Sequence, residues 1–330
     1  MVDVPIYADV LAAAGRIAPH AVRTPLVESP ALSARTGGRM FLKLELLQRT
    51  GSFKFRGALN RLAMIPENAR AGGVVAFSSG NHAQGVAAAA RLLGMQALIV
   101  MPADAPRAKI EGTRALGAEI VLYDRQREDR EAIAGRICAE RGATLVRPFD
   151  DPGIIAGQGT TGLEIAEDAA RFGVALDAVL VPCSGGGLVS GIALALNGSG
   201  AAARVHSVEP ENFDGMRRSL AVGKRATAPG GALSIADALM APTPGAHVFA
   251  LAKDLLAPGL AVSEAELEQA VAFAATQLKL LVEPGGAAAL AALLAGKAPL
   301  ENIKGKNIAL VLSGGNADFD SIAAIIAKAH

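Results

Sequence analysis

The sequence predicts an α/β fold built on mainly parallel sheets, and three observations carry that expectation. Short apolar runs alternate with stretches of helical periodicity, the pattern of repeated strand–helix–strand units. Several runs, such as Ala178–Val181 and Asn307–Leu312, are apolar almost throughout, as strands covered on both faces must be. Three of the runs open directly into glycine- and serine-rich turns: Ser78-Ser79-Gly80-Asn81-His82, Ser184-Gly185-Gly186-Gly187-Leu188 and Ser313-Gly314-Gly315-Asn316. In an open α/β sheet, ligands bind outside the carboxyl ends of the strands, where such turns gather.

In chain order, the expected strands are Met40–Leu44, Val74–Phe77, Ala97–Met101, Glu119–Leu122, Ala178–Val181, Arg204–Val208 and Asn307–Leu312. Helical patterns fall between them at Phe55–Met64, Gln84–Leu93, Arg107–Leu116, Asp129–Arg141, Thr160–Phe172 and Leu188–Leu196. Ser263-Glu264-Ala265-Glu266 reads as a capping box opening a helix toward Leu280, and a last helix starts near Asp318.

Composition narrows the class. The chain has 330 residues, 51% of them hydrophobic, and only 19% are charged. Such a chain buries enough apolar surface to fold, which excludes general disorder. Thirty-two basic residues against 31 acidic ones leave a net charge of +1, which gives no broad footprint for nucleic acid or anionic lipid. The longest uncharged run, Ala178 to Ala203, is broken by Pro182, Gly185–Gly187 and Asn197-Gly198-Ser199-Gly200, a composition unsuited to crossing a bilayer. The N-terminus shows no basic segment followed by an apolar one, so no secretory signal is expected. The two cysteines, Cys138 and Cys183, lie far apart, and a reducing cytoplasmic setting without structural zinc is the expectation.

Two features point to chemistry. The Ser184–Leu188 turn joins an apolar strand to a helix, so free N–H groups and the positive helix end converge where glycines admit an anion. No Gly-Lys-Ser/Thr follows, so it is not a P-loop, and Ser190 stands where a dinucleotide fingerprint needs its third glycine. A tight turn with close helix–strand packing is the competing reading. Lys54 lies between Phe53 and Phe55 at the start of a helical pattern, where crowding by apolar rings lowers an amine's pKa and fits it for a Schiff base. The competing reading is a surface lysine lying over its neighbours.

Taken together, Ser52-Phe53-Lys54-Phe55-Arg56-Gly57-Ala58, Ser79-Gly80-Asn81-His82-Ala83-Gln84-Gly85, Ser184-Gly185-Gly186-Gly187-Leu188 and Ser313-Gly314-Gly315-Asn316 resemble the fold-type II pyridoxal-phosphate enzymes. Within that family the motifs are similar to those of the threonine/serine dehydratase and serine racemase branch. The resemblance extends through Thr24-Pro25-Leu26, Gly157-Gln158-Gly159-Thr160 and Val282-Glu283-Pro284-Gly285-Gly286. It implies a two-lobed architecture like that of the tryptophan synthase β chain, with residues 1–50 and 150–330 in a large cofactor-binding domain and 51–149 in a small mobile one. The matched motifs, from Thr24 to Asn316, imply no appended regulatory domain.

The resemblance also implies roles. Lys54 would hold pyridoxal 5'-phosphate as a Schiff base and then move the α-proton, with Phe53 packed on the cofactor ring and Asn81 bonded to its 3-oxygen. Ser184, Gly185, Gly186, Gly187 and Leu188 would cradle the phosphate, and Ser313 would bond the pyridine nitrogen. Ser78, Ser79, Gly80, Asn81 and His82 would receive the substrate carboxylate. The implied activity is elimination of water from L-threonine or L-serine, giving a 2-oxo acid and ammonium. Serine racemisation and 3-hydroxyaspartate dehydration are the alternatives on the same scaffold, and a Rossmann-type nucleotide-binding oxidoreductase is the alternative from another class. Many threonine dehydratases have alanine at Ser79, whereas serine racemases have serine there. A hydroxyl opposite Lys54 could return a proton, and a helix-capping serine is the other reading.

Glu209 resembles part of the branch's Mg2+ or Ca2+ site. Serine racemases place a further carboxylate six residues on, where this chain has Gly215; here the carboxylate sits one position earlier, at Asp214, so Glu209 and Asp214 are the candidate ligands. A solvated loop with incidental carboxylates is the other reading. Asp237 matches a motif that the resemblance places near the cofactor, and Glu283 is expected near the ring, with a buried salt bridge as the other reading. The partners implied are a small amino acid and a second copy of the chain in a homodimer.

Overall fold

The computed structural model describes residues 3–105, 107–298 and 303–328. Their ten strands are β1 (Leu26–Glu28), β2 (Arg39–Leu44), β3 (Val74–Phe77), β4 (Ala97–Pro102), β5 (Glu119–Tyr123), β6 (Thr144–Leu145), β7 (Ala178–Pro182), β8 (Arg204–Pro210), β9 (Leu260–Val262) and β10 (Asn307–Leu312). They form two sheets. One has the order β1-β2-β10-β7-β8-β9 and the other β5-β4-β3-β6. Every pairing between these strands is parallel except β1 with β2 at one edge. All seven strands expected from the sequence are present. Three short ones, β1, β6 and β9, leave no legible apolar run.

Helices cover both faces of each sheet, and β4 and β7 are buried along their whole length. The low charge fraction follows from that double covering. Among the described residues no helix is long and apolar enough to cross a membrane.

One expectation needs correcting. The helix expected over Thr160–Phe172 runs from Pro152 to Arg171, with the Asp151 side chain accepting from the Ile154 N–H and proline in the first turn. Its first half contains Gly153, Gly157 and Gly159, which look like helix breakers but act as contact points. A Cβ on Gly157 would lie 2.6 Å from Gly57 Cα, and one on Gly162 would lie 2.8 Å from the Ile192 carbonyl oxygen. The glycines let this helix pack directly against the Lys54–Ala63 helix on one side and the Gly187–Gly198 helix on the other. It therefore fixes the lysine segment relative to the glycine turn.

The Ser263 capping box forms as expected, with Ser263 Oγ accepting from the Glu266 N–H and Glu266 accepting from the Ser263 N–H. The helix then loosens into a π turn, Ala274–Leu278, and stops at Lys279 in a left-handed conformation (φ 60°).

Candidate active site

Sequence order places the three glycine-rich turns at the carboxyl ends of β3, β7 and β10, and the fold brings them together. Residues 51–53 run beside the third turn. Ser52 pairs with Gly314, Phe53 N–H donates to the Ser313 carbonyl at 3.1 Å, and Gly315 N–H donates to the Gly51 carbonyl at 2.9 Å. Gly51 adopts a φ of 73°, and a Cβ there would meet Asn316 Oδ1 at 2.3 Å, so this close approach requires glycine. The pairing delivers Lys54, the first residue of its helix, next to Ser313.

The Lys54 ammonium donates to the Pro148 carbonyl at 2.8 Å and stands 5.1 Å from the centre of the Phe53 ring. Burial brings its pKa down from 10.5 to about 8, against the opposing pull of Glu283. A minority of the amine is therefore neutral and nucleophilic near physiological pH, far more than for an ordinary lysine.

The Ser184–Leu188 turn has the form of an anion cradle. The helix that follows, Gly187–Gly198, has no side-chain cap, so its first N–H groups lack partners. Gly186 is left-handed (φ 96°), and a Cβ there would lie 2.6 Å from both Met216 Cε and Val248 Cγ1. A Cβ on Gly185 would penetrate the Phe149 ring at 2.4 Å. Ser184 Oγ does not face the cradle freely, since it accepts from the Ala241 N–H at 3.1 Å. Phe149 follows Pro148, so one short segment both backs the cradle and accepts the hydrogen bond of the Lys54 ammonium. Sequence reasoning misses both residues because neither carries a motif.

From the turn after β3, Asn81 reaches across to the other sheet. Its Nδ2 donates to Glu283 Oε1 at 2.6 Å, and its Oδ1 accepts from Asn316 Nδ2 at 2.8 Å. Gly314 makes room, because a Cβ there would sit 2.2 Å from Glu283 Oε1. Glu283 is buried, and burial raises its pKa from 4.5 to about 7 although the Asn81 amide favours the charged form. Lys109 and Asp237, ion-paired at 2.5 Å, both act on Glu283 through space. Lys109 Nζ lies 3.9 Å from where a Cβ on Gly80 would be, which puts a cation over the Ser78–His82 turn.

Ser78 Oγ accepts from the Gly80 N–H at 3.2 Å and shapes the turn. Ser79 does not cap the helix. That helix, Asn81–Leu92, begins without a side-chain cap, and the Ser79 hydroxyl has no partner among the described residues. His82 is buried with Nε2 on the Val146 carbonyl at 3.1 Å, so that nitrogen carries the proton and Nδ1 is left bare. Burial beside Lys54 lowers its pKa to about 3 and keeps it neutral. Its imidazole is thus held away from the turn, and only its backbone N–H, in the first turn of the helix, faces the same way as that of Asn81.

Glu209 and Asp214, the carboxylates with a metal-site resemblance, are both already bonded to N–H donors of the 216–218 segment. Both oxygens of Glu209 accept backbone N–H groups, from Met216 at 2.9 Å and Arg217 at 2.8 Å. Asp214 pairs with the Arg217 guanidinium and with Arg218 Nε at 2.5 Å. Among the described residues no group of three or more His, Cys, Asp or Glu side chains could hold a metal ion.

Arg56, two residues after the lysine, anchors the whole arrangement. It is buried, with Nε and Nη2 on Glu45 at 2.8 Å each and Nη1 on Glu164 at 2.7 Å. Lys43, also buried, pairs with Glu164 at 2.5 Å. The basic residue is visible in its motif, but its partners, one just after β2 and one on the bridging helix, are not.

Residues 17–314 match the family model of the pyridoxal-phosphate dependent enzymes. An L-threo-3-hydroxyaspartate ammonia-lyase from Pseudomonas sp is 43% identical over 320 residues, covering 97% of this chain and 98% of its own. Among solved structures, the T.th. threonine deaminase aligns with a TM-score of 0.88 at 44% identity, over 96% of this chain and 99% of its own. Maize serine racemase aligns with a TM-score of 0.91 at 36% identity, over 99% of this chain and 98% of its own.

Proposed function

The chain belongs to the pyridoxal-phosphate dependent enzyme family, and from that premise we propose an ammonia-lyase that converts a β-hydroxy amino acid into a 2-oxo acid and ammonium. The observation that carries this reading is Lys54: a partly neutral amine at a helix start, beside Phe53 and one short segment away from an uncapped glycine cradle.

The residues present fit the cofactor. The cradle needs Gly185 and Gly186 free of side chains, its helix N-terminus offers unpaired N–H groups, and the Ser313 hydroxyl makes no hydrogen bond among the described residues. When bound, pyridoxal phosphate supplies an electron sink for negative charge developing at the substrate Cα. Lys54 Nζ moves the α-proton, its lowered pKa matching it to work near neutrality. The N–H groups at Asn81 and His82 and the turn before them hold the substrate carboxylate at a helix N-terminus. Asn81 is oriented by Glu283 and Asn316, which leaves one amide N–H for the ring. A serine at the pyridine nitrogen does not enforce its protonation, which favours elimination over transamination. Loss of water from Cα and Cβ leaves an enamine that tautomerises and hydrolyses to the 2-oxo acid and ammonium.

The substrate is proposed to be one of L-threonine, L-serine and L-threo-3-hydroxyaspartate. The Pseudomonas relative is named for the last and the T.th. structure for threonine deamination. Racemisation is the second reading, favoured by the unpartnered hydroxyl of Ser79. Residues 51–149 are proposed to close toward the rest of the chain over substrate. A homodimer completes the proposal, supported by exposed Leu47, Leu281 and Phe319 around the 313–319 segment.

A panel measuring ammonia, 2-oxo acid and product chirality over both enantiomers of serine, threonine and 3-hydroxyaspartate tests the reading. We expect turnover of at least one L-substrate by a yellow protein and none by Lys54→Ala. A colourless protein that pyridoxal phosphate cannot reconstitute, or an active Lys54→Ala, overturns it.

A further inference from the structure

We propose that an arginine–carboxylate clamp stands here in place of a divalent cation, and that it holds the phosphate cradle from beneath without Mg2+ or Ca2+. The inference rests on the cofactor reading of the cradle.

The clamp is built from the segment 209–218. Glu209, at the end of β8, is fully buried and caps the Gly215–Val222 helix by accepting from the Met216 and Arg217 N–H groups. Asp214, also fully buried, is neutralised by two guanidiniums, Arg217 through Nε at 2.9 Å and Arg218 through Nε at 2.5 Å. The carboxylate oxygens that would anchor a hard cation are therefore already bonded to N–H donors. Ca2+ takes about six to eight oxygen ligands and Mg2+ about six in near-octahedral array, anchored by carboxylates and completed by carbonyls or water.

The family's second carboxylate cannot be restored at the position that resembles its place. Gly215 occupies it, and a Cβ there would meet the Pro242 carbonyl oxygen at 2.5 Å. The space for a ligand side chain is filled by main chain.

The clamp is tied to the cradle through two contacts. Met216, whose N–H is held by Glu209, puts its Cε 2.6 Å from where a Cβ on Gly186 would stand, directly under the left-handed residue of the turn. The Pro242 segment continues from Ala241, whose N–H donates to Ser184 Oγ. Loosening the 214–218 turn would thus move Met216 and the floor of the phosphate site. Removing one partner of a buried charge pair leaves the other uncompensated, so the arginines carry the neutralising role.

The test compares the holoenzyme in chelator with the holoenzyme in about 1 mM Mg2+ or Ca2+, the weak end of protein calcium sites. Potassium chloride matches the ionic strength. The readouts are the melting temperature and the pyridoxal phosphate dissociation constant, with turnover of the best substrate measured separately. We expect neither readout to move with either ion. The double variant Arg217→Gln/Arg218→Gln, or Arg218→Gln alone if the double variant does not fold, should melt lower. It should bind the cofactor about tenfold more weakly, and part of both losses should return with Mg2+ or Ca2+. Wild-type stabilisation by either ion that chelator reverses overturns the proposal, as does a variant with wild-type behaviour or a loss that neither ion relieves. Failure of the lyase reading would show instead as a protein that binds no pyridoxal phosphate in any condition.

Discussion

Asn81 donates its side-chain amide to Glu283 at 2.6 Å, joining the helix after β3 to the segment that runs beside the turn after β10. The bond links the two sheets across the site, and it ties the orientation of Asn81 to the charge on a buried acid.

That acid makes stability depend on pH. The Glu283 pKa is raised by burial from 4.5 to about 7, so between those values the folded chain holds a proton that the unfolded chain has released. Stability contributed at low pH is therefore lost as pH rises from about 4.5 through about 7, by on the order of 3 kcal/mol. Glu283→Gln keeps the acceptor for Asn81 and removes the titration. In denaturant unfolding at pH 5 and pH 8, the variant should lack this component of the wild-type decline. A decline of the same size in both proteins would place the titrating group elsewhere.

Gly186 is constrained twice, by its φ of 96° and by Met216 Cε and Val248 Cγ1, each 2.6 Å from the place a methyl group would take. Gly186→Ala is expected to cost roughly 1–3 kcal/mol in the cradle, the usual range for a non-glycine residue in such backbone. The loss should fall mainly on cofactor affinity. Titration of the apoenzyme with pyridoxal phosphate, followed by absorbance, measures it, and unchanged affinity would show that the turn is not the phosphate site.

Arg56 shows how far a local motif can be read and where it stops. Its own position is plain in the sequence, and so are the strands and the three turns, because buried parallel strands leave continuous apolar runs and strand-to-helix turns collect glycine. The acids that make Arg56 matter, Glu45 and Glu164, lie on other elements and carry no signature. The Asn81–Asn316 bond likewise joins residues 235 positions apart. The first half of the Pro152–Arg171 helix is hidden because glycines that serve helix–helix contact read as breaks. Glu209 and Asp214 stand out as a pair, and the i,i+3 and i,i+4 spacing by which Arg217 and Arg218 claim Asp214 becomes legible only once a helix is known to start at Gly215.

Replacing Arg56 by methionine would strand Glu45, which is fully buried, without its guanidinium. Losing one partner of such a pair costs about 3–5 kcal/mol. Denaturant unfolding should show a midpoint shift of that order with little change in slope. Because Lys54 sits on the same helix, catalysis should fall as well in the folded fraction. A stability within about 1 kcal/mol of wild type would mean that water reaches and solvates Glu45, which screens such a charge.

Ser79 separates elimination from racemisation. Its hydroxyl is unpartnered among the described residues and the Asn81–Leu92 helix behind it has Gly80 as N-cap with no side-chain cap, so Ser79→Ala removes no bond that the fold uses. The variant should therefore keep wild-type thermal stability. Elimination from an L-substrate needs a proton removed by Lys54 and none delivered to the opposite face. Inversion needs that delivery, and removing a positioned proton donor slows its step by roughly 100-fold or more. Chiral analysis beside 2-oxo acid formation on the same samples should show racemisation falling far more than elimination. Equal losses in both activities would assign Ser79 to substrate carboxylate binding alone, and a drop in melting temperature would return it to a structural part in the turn.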